Sequence, residues 1–160
     1  MQTFLPYESF SQSLKSLDYR RLGKQRVEAM QILNIILERT DRPGWRNHPI
    51  VRMWDGYSAA LQLYHNMCIE EWIRQGYNNN MKLEVIEESI IYPDWLGNEK
   101  FHSSHRANLL RKDYNYYSQF GWKENSELPY VWLDTDKQQY YEQHIGTGIR
   151  EYLINRGELH

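Results

Sequence analysis

The sequence predicts a mainly α protein: a compact single-domain helical bundle with few or no strands. Three observations predict it. A length of 160 residues suits one hydrophobic core and not two comfortable ones. Apolar residues recur at helical spacing through residues 18–39 and 50–75. The connecting segments are rich in Pro, Gly and Asn, and only "ELPYVWLD" reads as extended, a single short strand.

Taken in order, "FLPYESFSQSLKSLD" carries a proline near its start and passes into a short helix over about 7–17. A second helix is expected over 18–39, with Asp18 as its N-cap. At about 100° per residue, Leu22, Arg26, Ala29, Met30, Leu33 and Leu37 form its core seam. Arg21, Gln25, Glu28 and Ile32 form a second stripe, and Arg20 and Lys24 lie together on a third. "DRPGWRNHP" is a loop broken at Pro43-Gly44. Residues 50–75 read as one long helix, weakened near Gly56 and closed by Gly76. "YNNN" is a solvated turn, and 81–99 form an acidic, proline-containing loop. A helix over 99–113, the aromatic segment "YNYYSQFGW", the short strand, and a polar helix over 135–156 interrupted at "GTG" complete the chain. Residues 1–134 make the main domain, and 135–160 are expected as its C-terminal helical extension.

Composition narrows the function. No apolar run approaches the roughly 20 residues a bilayer requires, so no membrane partner is expected. The amino terminus lacks the pattern of a secretory signal, and the expected location is the cytoplasm. Cys68 is the only cysteine, which excludes an intramolecular disulfide and a cysteine-rich zinc site. The formal net charge of -2 argues against a protein that coats nucleic acid without discrimination. Charge is nevertheless segregated: 15–26, 42–52 and 100–112 are net positive, whereas 84–94 and 124–142 are net negative. Thirteen tyrosines and six tryptophans supply rings for a core and for stacking on bases.

Several groups could carry chemistry. "SLDYRRLGKQRVEAMQIL" places Arg20, Arg21, Lys24 and Arg26 just beyond Lys15, and neighbouring cations repel unless an anion joins them. Arg26, on the apolar seam, needs a partner such as Asp55 or Glu28. "GWRNHP" sets Arg46, Asn47 and His48 before a helix start. "MWDGY" adds Trp54 and Tyr57 as rings and Asp55 as a proton acceptor or an arginine's partner. "FHSSHRANLLRK" brings His102, His105 and Arg106 to one helix, with the histidines three apart on one side. No third ligand accompanies them, so polar donors beside Arg106 are expected, and neither a metal nor a cofactor. The α-amine at Met1 is a potential Schiff-base nucleophile.

Five blocks, "LDYRRLGKQRVEAMQIL", "GWRNHPIVRMWDGY", "FHSSHRANLLRKD", "FGW" and "LPYVW", together resemble the pyrimidine-dimer DNA glycosylases, small bacterial and viral proteins, and most closely a little-characterised branch of them. The resemblance spans about residues 1–133. It implies a compact helical enzyme that extrudes a nucleotide from damaged duplex, attacks the sugar C1′ with an amino-terminal α-amine, and cleaves the strand by β-elimination. A helix-borne glutamate assists, and arginines hold phosphates. Carried over, Arg20 and Arg26 stand at phosphate-binding positions, while Arg21 stands where the glutamate would be. Glu28 and Gln25 are the nearest replacements. Family members use a terminal threonine, but here Thr3 follows a bulky Gln2, so the amine presented is that of Met1.

The expected function is therefore that of a DNA glycosylase-like protein acting at an N-glycosidic bond of DNA or a nucleotide, with AP lyase activity as the finer expectation. Glu28, Asp55 and Met1 are its catalytic candidates. Arg20, Arg21, Lys24, Gln25, Arg26, Arg46, Asn47, His48, His102, His105 and Arg106 are its phosphate-binding or nucleic-acid-binding candidates, and Trp54 and Tyr57 would stack on a base. The alternative is a non-catalytic protein that holds a small nucleotide or a nucleic-acid end in the same basic pocket.

Overall fold

Asp18 starts the helix that carries most of the candidate residues. Its carboxylate accepts the Arg21 N–H, and the helix, α2, runs Tyr19–Ile36. The structure, a computed structural model, describes residues 1–41 and 44–153. Pro43 of the expected loop break and the 154–160 end of the expected helical extension lie outside the described residues. Their contacts divide the chain into two compact units: Met1–Phe4 with Ser9–Asp94, and Leu5–Glu8 with the chain from Trp95 onward.

The first unit is helical. Ser9 caps α1, Phe10–Ser16, by accepting the Gln12 N–H. The single helix expected over 50–75 is two, α3 (Pro49–Trp54) and α4 (Ser58–Arg74). They are separated at Gly56, whose φ of +91° an L side chain seldom adopts. Helix α2 packs on α4 and α3, and α1 packs on α4. The buried residues of α2 are Leu22, Gln25, Ala29, Ile32, Leu33 and Ile35, so the seam is rotated toward the second stripe and leaves Arg26 half-buried. Charge explains the rotation: a guanidinium is costly to enclose, whereas the Gln25 carboxamide finds backbone partners.

Gly23 stands inside α2 for a reason visible in its neighbour. A Cβ there would lie 3.0 Å from the Trp72 ring, which crosses the helix at that point. Trp72 is fixed by donating its indole N–H to the Asn78 carbonyl at 2.8 Å, and the Arg26 guanidinium lies over its ring at 4.3 Å.

The second unit joins helix to sheet. Asn98 caps α5, Glu99–Lys112, and α6, Tyr114–Tyr117, runs into a single 3-10 turn, Ser118–Phe120. Three antiparallel strands follow, β1 (Tyr130–Asp134), β2 (Gln139–Gln143) and β3 (Arg150–Tyr152), in the order β1-β2-β3. The mainly helical class holds, and the strand expected within "ELPYVWLD" is β1, but the helical extension expected from 135 is corrected: Gln139–Gln143 and Arg150–Tyr152 are strands, so the protein carries a small sheet. Asp134 Oδ1 accepts the N–H groups of Asp136 and Lys137 and turns the chain. Tyr141 then pairs with Trp132 on one side and Tyr152 on the other. Adjacent aromatic residues favour a pleated surface over a helix. Gly146 and Gly148, both at positive φ, make the second turn.

Leu5–Glu8 are held in this unit by α5. His105 Nδ1 accepts the Leu5 N–H at 2.9 Å, and His102 Nδ1 lies 2.8 Å from the Leu5 carbonyl. Because His102 Nε2 accepts the Gly97 N–H at 2.8 Å, Nδ1 carries the proton. Arg106 donates to the Pro6 carbonyl at 2.7 Å, to Glu124 at 2.9 Å and to Glu99. The Tyr7 hydroxyl accepts the Trp122 indole N–H at 2.8 Å. Among the described residues no helix is long and apolar enough to cross a membrane.

Burial, reinforced by the neighbouring His102 and Arg106, pushes His105 well below its usual 6.5, and burial lowers His102 as well. Both rings stay neutral when folded but gain a proton when unfolded below about pH 6.5, so their stabilisation is complete above that pH and is lost as the pH falls. Thermal melts should give a constant Tm above about pH 7 and a falling one in acid, with a shallower fall for His105→Gln. Gly23→Ala should forgo the roughly 1 kcal/mol that alanine normally adds to a helix interior. It should instead lower Tm and shift the Trp72 contribution to tryptophan fluorescence.

Candidate functional site

The amino-terminal residues of the first unit are built into its core. Gln25 reaches across from α2 and uses its whole carboxamide on them: Oε1 accepts the Phe4 N–H at 2.9 Å, and Nε2 donates to the Gln2 carbonyl at 3.0 Å. The Tyr64 hydroxyl, from α4, lies 2.6 Å from the same Oε1 and 3.1 Å from the Phe4 carbonyl. Trp54 donates its indole N–H to Thr3 Oγ1 at 3.0 Å. Gln2, Thr3 and Phe4 are buried, and the Gln2 side chain folds back so that its Oε1 accepts the Thr3 N–H. The Gln2 carboxamide nitrogen is buried with no hydrogen-bond partner among the described residues.

One turn beyond Gln25, Glu28 meets the backbone at the start of the chain. Its Oε2 accepts the Gln2 N–H at 2.9 Å, and its Oε1 is 3.9 Å from Lys24 Nζ. The Glu28 side chain retains 18% of its exposure, so the carboxylate stands at the edge of the core with solvent access. His48 belongs to the same neighbourhood. It caps α3 by accepting the Ile50 N–H at Nδ1, and burial together with the positive charge of the amino terminus lowers its pKa to about 4. The imidazole is therefore neutral at physiological pH and adds no charge beside the amino terminus. Beside it, at 5.7 Å between ring centroids, stands Trp45, 56% exposed in a loop shared with the exposed Arg46 and Asn47.

The other candidates lie as follows. Arg21 NH1 donates to Asp18 at 3.0 Å. Arg20 donates to the Tyr19 hydroxyl at 3.0 Å and is otherwise open to solvent. Arg26 takes neither Asp55 nor Glu28: it donates to Asn79 Oδ1 at 2.6 Å and to the Gly23 carbonyl, on the flank of α2 facing Trp72. Asp55 is exposed at the end of α3, and Tyr57 is directed to Asp94 at 3.4 Å.

Two expected roles are corrected here. Trp54 is fully buried among Phe10, Tyr64 and Thr3, so its face is closed to a base. Gln25 is buried with both ends of its carboxamide engaged, so it positions backbone rather than meeting a phosphate. In the second unit, His102 and His105 are buried against Leu5, and Arg106 is matched by two carboxylates and a carbonyl. The candidate groups that share one neighbourhood in the first unit are thus the chain start, Glu28, Lys24, His48 and the Trp45 loop.

Trp45 escaped the sequence reading, although its signal was present as a lone indole in a polar, turn-rich loop. Gln2 escaped because nothing local marks it, its burial depending on Gln25 from 23 residues away. Cys68 can be set aside as a nucleophile: burial pushes its thiol far up. Among the described residues no three His, Cys, Asp or Glu side chains gather as a metal site.

Comparison with known proteins bears on this site directly. Residues 1–85 match the family model described as pyrimidine dimer DNA glycosylase. No curated protein and no solved structure matches. The matched stretch contains the chain start, α2 with Glu28, and the Trp45 loop, and it ends short of the later blocks "FHSSHRANLLRKD", "FGW" and "LPYVW". It covers more than half of the 160 residues, and the chain belongs to the pyrimidine dimer DNA glycosylase family.

Proposed function

We propose that this protein excises a damaged base from DNA using the amine at its amino terminus, with Glu28 as the acid–base partner, and then breaks the strand as an AP lyase. The observation that carries the reading is the 2.9 Å contact between Glu28 Oε2 and the Gln2 backbone nitrogen. A carboxylate fixed on the second residue's nitrogen stands within one residue of the Met1 amine. It would meet the α-amine of Gln2 directly if Met1 were removed.

The chemistry needs few parts. The neutral amine attacks C1′ of the deoxyribose as the N-glycosidic bond breaks, and the base leaves with the bonding electron pair. Loss of a proton from nitrogen and opening of the ring give an imine. Removal of a C2′ proton then expels the 3′ phosphate. Glu28 is suited to accept and return these protons, since it is partly solvated and hydrogen-bonded. The clamp of Gln25, Tyr64 and Trp54 fixes the nucleophile and removes the fraying usual at a terminus. Lys24, Arg20 and Arg46 supply exposed cations for the phosphates on either side. Trp45 offers a ring to the base or to the gap it leaves. The buried Gln2 carboxamide nitrogen, unpartnered among the described residues, is a further donor on the residue that follows the amine.

Borohydride trapping on duplex DNA bearing an abasic site or a pyrimidine dimer tests the reading. The expected product is a covalent protein–DNA adduct mapped to the first tryptic peptide. DNA that stays intact, with no adduct, overturns it and leaves the nucleotide-holding alternative. Glu28→Gln should lower the cleavage rate by about 10²- to 10⁴-fold, the usual worth of a general acid–base group, with DNA affinity retained. Trp45→Ala should reduce kcat/KM on dimer-containing duplex by about tenfold, the scale of one base–aromatic stack, while Trp45→Phe should restore most of it.

A further inference from the structure

On the flank of α2 away from Glu28, side chains from three parts of the sequence form one continuous stack. The Arg26 guanidinium covers Trp72 at 4.3 Å. Trp72 stacks on Tyr77 at 4.3 Å and 23°, and Tyr77 stacks on Tyr19 at 5.9 Å and 21°. The Arg20 guanidinium closes the series over the Tyr19 ring at 5.6 Å.

The two ends of this stack differ. The Trp72 end is fastened by the Asn78 carbonyl, by Arg26 with Asn79, and by the absent side chain of Gly23. The Tyr19 end is open: Tyr19 is 48% exposed and Tyr77 39% exposed, although both are large rings in a protein with a well-filled core. Arg20 is exposed, and its guanidinium donates to the Tyr19 hydroxyl. A surface guanidinium resting on a ring is easily displaced, the contact being worth about 0.5–1 kcal/mol when exposed. Lys24 follows one turn further along the helix, about 6 Å on at 1.5 Å per residue, between Arg20 and the carboxylate of Glu28.

We infer that the Tyr19–Tyr77 end of this stack is a second nucleic-acid subsite, which holds an unpaired nucleotide of a DNA strand whose phosphates lie on Arg20 and Lys24. Such a nucleotide matches both features that are left open. Its base supplies a π face to the rings, and its phosphate draws Arg20 off Tyr19 into a charge-assisted pair. The two helix flanks divide the work: reaction at Glu28, strand-holding at Tyr19. The assignment rests on DNA as the partner and not on the amine and Glu28 chemistry.

Fluorescence anisotropy with a labelled thymidine oligonucleotide and with an abasic duplex tests it. Tyr19→Ala combined with Tyr77→Ala should weaken single-strand binding by about tenfold to a hundredfold, and Tyr19→Phe with Tyr77→Phe should leave it nearly unchanged. Arg20→Ala should reduce the slope of log affinity against log salt by about 0.7, the loss of one single-strand phosphate contact. Tyr19→Ala alone, at an exposed position in the first turn of α2, guards against a folding defect in the double variant. Wild-type affinity in the alanine variants, or no single-strand binding by the wild type, overturns the subsite. Tyrosine-dependent binding without strand cleavage upholds it and removes the catalytic proposal, whereas cleavage with tyrosine-independent binding does the reverse.

Discussion

The first unit is organised around a single carboxamide. Gln25 accepts from Phe4 and donates to Gln2, so it replaces the strand partner that an extended amino terminus would otherwise lack. Buried backbone groups without partners cost on the order of 1–3 kcal/mol each. Without Gln25 the first residues could not stay inside the core. With it, the Tyr64 hydroxyl and the Trp54 indole complete a polar lining around an otherwise apolar interior. The position of Glu28 on the Gln2 nitrogen follows, because Gln25 and Glu28 are three apart on one helix and read neighbouring points of the same short segment.

The next four residues repeat the principle by different means. Leu5 has its N–H and its carbonyl bound by two imidazoles three apart on α5, and the Pro6 carbonyl is bound by Arg106. The spacing of His102 and His105, which in isolation invites a metal, here reads the two polar groups of one residue. Each unit therefore fixes its share of the chain's opening with side chains from a helix. The partners are neutral in the buried positions and charged only where carboxylates answer them, as Glu99 and Glu124 answer Arg106.

Much of the helical framework was legible. Asp18 as a cap and the stop at Gly76 follow from local chemistry that a sequence displays, whereas Gly56, expected only to weaken one long helix, separates two. The sheet was not legible as such, because "QQYYEQ" has the polarity of an exposed helix. Its strand character comes from Trp132 and Tyr152 on either side, partners a linear reading cannot supply. Within the candidate site, Glu28 was legible as a carboxylate in a basic helix, but its contact with Gln2 bridges 26 residues. Trp54 and Trp45 show the limit most clearly. Both are tryptophans beside basic residues, yet one is entirely enclosed and the other mostly open, and only tertiary packing separates them. Arg26 teaches the same lesson, since a guanidinium drawn onto the apolar seam found an aromatic face and an amide oxygen instead of an acid.

The buried chain start has a practical corollary for anyone handling the protein. Thr3 and Leu5 are wholly enclosed and Gln2 nearly so, so an affinity tag or fusion partner joined ahead of Met1 would have to leave through the space beside Glu28 and His48. Such an extension would convert the terminal amine into an amide and crowd the Trp45 loop, even if the remainder folded unchanged. Purification handles therefore belong at the other end of the chain.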